Sequence, residues 1–189
     1  VSADHQNKPD IASNVARQWI DEQGVDLIVD VPTSSAALAV SEVVREKNKI
    51  FMNSGAGSSD LTGSKCSPNT IHWTYDTWAM GHGLARGVLD QGGKTWFFVT
   101  ADYAFGHDLE KQAAEEVVAQ GGKVIGSVRH PINTSDFASF LLQAQSSGAQ
   151  VIALANAGGD TVNAIKQAAE FGLGQKQKIV ALIFDLQSV

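Results

Sequence analysis

The groups in this sequence best placed to do chemistry are hydroxyls, bare backbone and a few aromatics, gathered in short stretches. Pro32-Thr33-Ser34-Ser35, Asn53-Ser54-Gly55-Ala56-Gly57-Ser58, Ala101-Asp102-Tyr103-Ala104-Phe105-Gly106 and Asn156-Ala157-Gly158-Gly159-Asp160 are the main ones, with Asp185 near the end. Donors of this kind hold a small anion-bearing molecule without ionising, and the aromatics stack on its apolar part. Each stretch also has a plainer reading. Thr33, Ser34 and Ser35 suit helix N-caps, Gly55-Ala56-Gly57 suits an open loop, and one of Tyr103 and Phe105 suits a core position. Asp160 suits the first turn of a helix, where a carboxylate meets the positive end of the dipole.

Templates for catalysis are missing. There is no Gly-x-Ser-x-Gly elbow and no P-loop, and Gly55-Ala56-Gly57-Ser58-Ser59-Asp60 lacks the third glycine of a dinucleotide fingerprint. The 5 histidines show no His-x-x-x-His or His-Glu pairing, so neither a metal nor another cofactor is expected. Asn133-Thr134-Ser135 reads as a turn and helix cap rather than a glycosylation site.

The elements that must position these stretches follow from periodicity. Ile11, Val15, Trp19 and Ile20 recur at helical spacing between Pro9 and Gln23, with Gly24 just beyond. Leu27-Ile28-Val29 is a short buried strand, and Ala36, Val40, Val43 and Val44 stripe the next helix. Ile50-Phe51-Met52 is a strand. From Asn53 to Asn69 the Gly, Ser and Pro density argues against any regular element. A brief strand over 71–74 leads into a helix over 77–91, the candidate crossing between two lobes. The alternation then repeats: strand 96–100, helix 104–120, strand 124–128, a helix capped by Ser135, strand 151–155, helix 160–171 and strand 179–184. Strands alternating with helices of ten or more residues predict parallel pairing through right-handed crossovers, an α/β sheet with helices on both faces.

The chain has 189 residues, a formal charge of -6, 43% hydrophobic residues and 1 Cys. The acidic balance argues against nucleic acid or an anionic membrane as partner. Cys66 alone forms no internal disulfide. Opening on a helix and ending on a buried-looking strand, the sequence reads as a segment of a larger protein.

These residues together resemble the type I periplasmic solute-binding proteins of ABC importers, in the branch around the leucine/isoleucine/valine-binding proteins. The likeness runs in order through the strand with Thr33-Ser34-Ser35, the Phe51 to Thr62 stretch, Trp73-Thr74-Tyr75-Asp76, and Asp102-Tyr103-Ala104-Phe105-Gly106. It implies a two-lobed α/β fold, each lobe a parallel sheet flanked by helices. Residues 1–74 would form part of the first lobe, lacking its first strand, and 75–189 part of the second. It also implies a non-enzymatic protein, exported to the periplasm behind an upstream signal peptide. Such a protein acts as a monomer that captures a ligand between its lobes and delivers it to an inner-membrane permease.

The resemblance assigns roles position by position. Thr33, Ser34 and Ser35 would hold a ligand carboxylate at a helix start, with Ala56, Gly57 and Ser58 completing that site. Tyr103 and Phe105 would close over the ligand, Asn156, Ala157 and Gly158 would contact it, and Asp185 would meet an α-ammonium. Amino-acid binders often carry an aromatic where this chain has Ala157 and Gly158. That departure leaves room for a bulkier aromatic acid, so the implied ligand is a small carboxylate, either a branched-chain or hydrophobic amino acid or an aromatic acid. A ligand-sensing domain of a receptor or of an amide-responsive regulator is the alternative on the same fold.

Overall fold

The computed structural model describes residues 1–184, and the chain divides into two compact units, Val1–Thr77 and a second from Trp78 onward. In the first unit, helix α1 (Pro9–Gln23) starts on a proline that needs no N–H partner and stops at Gly24, whose φ of 67° gives the left-handed turn that closes the helix. Strand β1 (Leu27–Val29), helix α2 (Ser34–Glu46), strand β2 (Ile50–Asn53) and strand β3 (Thr70–His72) follow. The three strands pair in parallel in the order β1-β2-β3. Ile28 and Phe51 point to the face where α1 and α2 pack, and they join Ala16, Ile20, Ala37, Val40 and Val44 in one core. Full burial of a residue such as Phe51 contributes about 2–3 kcal/mol. On the other face Leu27, Val29, Ile50, Met52 and Ile71 stay exposed, so among the described residues helices cover one side of this sheet, not both.

One expectation fails within the loop after β2. A single 3-10 turn, Ser59–Leu61, forms there because the Ser58 hydroxyl accepts the Asp60 N–H at 3.3 Å and Leu61 is apolar enough to enter the core.

In the second unit, helix α3 (Thr77–Asp90) begins at the boundary. Strand β4 (Thr95–Ala101), helix α4 (Ala104–Ala119), strand β5 (Lys123–His130), helix α5 (Ala138–Ser146), strand β6 (Val151–Ala155), helix α6 (Gly159–Glu170) and strand β7 (Lys178–Ala181) follow. The sheet is fully parallel in the order β5-β4-β6-β7. Both faces are covered. Trp96 and Phe98 pack with α3 and α4, while Phe97 and Val99 pack with α5 and α6, so β4 and β6 read as continuous apolar runs. Ser135 does not cap α5. That helix starts three residues later, where the Asp136 carboxylate accepts the Ala138 N–H at 2.9 Å. Among the described residues no helix is long and apolar enough to cross a membrane.

Candidate functional site

In parallel sheets the carboxyl ends of strands and the first turns of the following helices face the same way, so each unit gathers its candidate groups at one rim. In the first unit the rim is built from the β1–α2 and β2–β3 connections, held together by buried polar groups. The Ser34 hydroxyl, at the first residue of α2, accepts the Ser58 N–H at 3.2 Å, and both residues are buried. Gly55 lies so close to the other connection that a Cβ there would stand 2.9 Å from Pro32 Cα, a contact that only glycine permits. Thr33 is the N-cap of α2 by position, but its side chain turns away to hydrogen-bond the Asn7 side chain instead.

Asn53 organises this loop, a role that its residue type alone does not announce. Its fully buried amide donates to Ala56 O at 2.7 Å and accepts the Ala56 N–H at 3.0 Å. His72 Nε2 also contacts Ala56 O at 2.8 Å, and since a carbonyl only accepts, that nitrogen carries the hydrogen. Thr77 clamps the far side, donating its N–H to Gly57 O at 2.8 Å and accepting from Ser59 N at 2.9 Å. The position of Asn53 as the last residue of β2 was the available signal.

The chemistry of this rim suits an anion held without a cation. The first N–H groups of a helix have no intrahelical acceptor, and the dipole favours negative charge there. The basic residues between Asp30 and Asp60 are Arg45, Lys47 and Lys49, at the other end of α2 and the start of β2. Ser34, Ser35, Ala56, Gly57 and Ser58 thus meet around the α2 N-terminus, and Thr33 is diverted from it.

In the second unit the rim is formed by the ends of β4, β5 and β6. Asp102 follows β4, and its carboxylate bonds His107 Nε2 at 2.7 Å and lies 3.8 Å from Arg129 Nη1. Tyr103 is the half-buried N-cap of α4, with its ring 5.9 Å from that of Phe105, and Phe105 is in the core at 4% exposure. Gly106 brings α4 against the strand ends, since a Cβ there would stand 2.2 Å from Ala101 O. Asn156 is fully buried, whereas Ala157 is half-buried and Gly158 exposed. Gly158 has φ 58° and ψ -131°, a conformation for which glycine is needed. Asp185 lies outside the described residues.

Asp160 sits in the first turn of α6 as expected, but it is buried and ties two connections together. Its carboxylate accepts the Asn133 N–H at 3.1 Å. Burial raises its pKa above the usual carboxylate value, more than the neighbouring His130 and the Asn133 and Thr134 N–H groups lower it. Relative to the unfolded chain the native state therefore holds the proton more tightly, and this contribution is present below the ordinary Asp range and lost as pH rises through the folded value. Asp160→Asn is expected to raise the melting temperature at pH 7, with the gain shrinking on acidification. A gain that is absent at pH 7, or constant down through the carboxylate range, would contradict this in a pH series of thermal melts.

Among the described residues no three His, Cys, Asp or Glu side chains cluster as a metal site would need.

Comparison with known proteins gives one consistent result. A family model described as periplasmic binding protein matches residues 1–189. A periplasmic binding protein of Burkholderia mallei is 57% identical and superimposes with a TM-score of 0.94, over 96% of this chain and 48% of its own. A branched-chain amino acid ABC transporter periplasmic ligand-binding protein of Burkholderia xenovorans is 39% identical, with a TM-score of 0.77 over 100% of this chain and 51% of its own. A solute-binding protein of an ABC transporter from R. palustris, solved with 4-hydroxybenzoate, is 25% identical with a TM-score of 0.84, over 93% of this chain and 48% of its own. The chain thus spans about half the length of these relatives.

Proposed function

Because the chain belongs to the periplasmic binding protein family, we propose that it is part of the extracytoplasmic solute-binding component of an ABC importer, capturing a small carboxylate with an apolar body for an inner-membrane permease. The observation that carries this reading is the rim of the first unit, where Ser34, Ser35 and the Ala56–Ser58 loop gather at the start of α2, whose first N–H groups have no intrahelical acceptor. Neutral donors fixed in advance bind a carboxylate with little reorganisation. In the second unit Tyr103 and the open Ala157–Gly158 turn supply the apolar and backbone contacts.

Within that class the site favours an aromatic or other simple acid over an amino acid. An α-ammonium needs a carboxylate partner, and the two described acids of the second rim serve it poorly. Asp102 is already shared by His107 and Arg129, and Asp160 is buried with its carboxylate accepting the Asn133 N–H. The solute-binding protein solved with 4-hydroxybenzoate supports this choice, and the one named for branched-chain amino acids supports the second reading, a hydrophobic amino acid met by Asp185.

Ser35→Ala and Tyr103→Ala are each expected to weaken the bound acid about tenfold, the loss of one hydrogen bond or one stacking contact, while leaving the fold intact. Thermal-shift titration of the intact protein with leucine, phenylalanine, benzoate and 4-hydroxycinnamate identifies the acid to use. Unchanged affinity in both variants would refute the assignment of these rims.

A further inference from the structure

Peptide by peptide, the loop after β2 spends its hydrogen-bonding groups on the protein, with one exception. The Ala56 N–H goes to Asn53 Oδ1 at 3.0 Å. In the peptide between Gly57 and Ser58, the carbonyl accepts the Thr77 N–H at 2.8 Å and the N–H goes to the Ser34 hydroxyl at 3.2 Å. In the peptide between Ala56 and Gly57 the carbonyl is doubly occupied. It accepts Asn53 Nδ2 at 2.7 Å and His72 Nε2 at 2.8 Å, one donor for each lone pair. The Gly57 N–H of that same peptide has no partner among the described residues, although Gly57 is buried. A buried N–H without an acceptor is rare in a folded protein, so this one must find its acceptor outside these residues.

A trans peptide sets its C=O and N–H in opposite directions. Drawing Ala56 O onto Asn53 and His72 therefore turns the Gly57 N–H the other way, and rotating this one peptide would put an acceptor where the donor stands. Glycine at 57 leaves such a rotation sterically open. Asn53 bonds both the N–H and the carbonyl of Ala56, whereas His72 bonds the carbonyl alone, so His72 bears on the orientation of this peptide in particular. The sheet places it there. His72 is the last residue of β3, and the parallel register sets it beside Asn53, the last residue of β2. A carbonyl turned outward would repel a carboxylate but accept the NH2 of a neutral amide.

We propose that His72 is a positioning residue that makes the first rim selective: by filling the second lone pair of Ala56 O it holds the Gly57 N–H outward as a donor, so that the rim prefers a carboxylate to the corresponding amide. This rests on the reading that Gly57 meets the ligand carboxylate.

The test compares the intact wild type with His72→Leu, which removes the donor, and with His72→Gln, whose side-chain amide restores one. Affinities for benzoate and benzamide are measured by calorimetry, and the signals of the Ala56 carbonyl carbon and Gly57 amide nitrogen are followed by NMR without ligand. His72→Leu is expected to weaken benzoate about fivefold, the order of one hydrogen bond, and to leave benzamide unchanged, with His72→Gln close to wild type. The two peptide signals should be sharp in wild type and His72→Gln, and shifted or broadened by exchange in His72→Leu. Equal losses for benzoate and benzamide, no rescue by His72→Gln, or peptide signals in His72→Leu at their wild-type positions would each overturn the proposal. If benzoate does not bind the wild type, the benzoate reading fails and the selectivity with it, while the ligand-free signals still decide whether His72 orients the peptide. If His72→Leu does not fold, His72→Asn, too short to reach Ala56 O, takes its place with the same expected results.

Discussion

Replacing Gly106 by alanine is expected to destabilise the second unit by about 3 kcal/mol, the upper end of what overpacking usually costs. A Cβ at this position would stand 2.2 Å from Ala101 O and 3.0 Å from Ala155 O. Both neighbours are backbone at the ends of β4 and β6, so neither can swing aside as a side chain would. The helix must lift from the sheet, and Phe105 and Leu109, both buried, lift with it. The same movement displaces Tyr103 at the α4 N-cap, so ligand affinity should fall along with stability. Denaturant unfolding of the intact protein measures the first effect, and a loss under about 0.5 kcal/mol, the range of a neutral surface change, would show that α4 accommodates the methyl group.

The second large effect is expected at Asn53. Asn53→Ala removes both the acceptor of the Ala56 N–H and a donor to Ala56 O, the latter keeping its contact with His72. Ala56 is fully buried, so its N–H is left without a partner, a loss of about 2 kcal/mol. The larger consequence is for the shape of the Gly55–Ser58 loop, which Asn53 fixes from within. Binding of the acid should weaken about tenfold although Asn53 is itself fully buried, with the loss appearing mainly as faster dissociation. Asn53→Asp discriminates shape from bonding, because it retains the acceptor and loses the donor. An affinity for Asn53→Ala equal to wild type would show that the loop keeps its form without this residue.

Much of the fold was legible because its elements carry strong local signals. The Pro9 to Gln23 helix has a proline at one end, a glycine at the other and an apolar stripe between, and its bounds agree with the structure. The all-buried run Val151–Ala155 announced a central strand. The start of α5 was misplaced because Ser135 and Asp136 both look like caps, and only the tertiary setting, with Phe137 fully buried, selects the later start. The uncovered face of the first sheet was hidden for a different reason. A three-residue strand such as Leu27–Val29 is apolar throughout, so its pattern does not tell which side chains are packed.

The candidate site was legible as positions but not as bonding. Strand ends could be enumerated, which brought Ser34, Ser58, Tyr103 and Asn156 into view. What each side chain does depends on partners distant in sequence, such as Ser34 with Ser58 or Asn156 with His130. Thr33 shows the limit well, since its type and place suit an N-cap while its hydroxyl is taken by Asn7. His130 was seen as one histidine among several, and only the fold places it under the β6–α6 turn.

The claim at the centre of this account is that the protein recognises a carboxylate through neutral donors at the start of α2. The most direct measurement is calorimetric titration of the intact protein with the four acids, leucine, phenylalanine, benzoate and 4-hydroxycinnamate, each beside its amide and with a sugar as control. At least one acid is expected to bind, with its amide weaker by about thirtyfold or more, since charge-assisted bonds are roughly twice as strong as neutral ones. An amide that binds as tightly as its acid, or binding of the sugar alone, would contradict it.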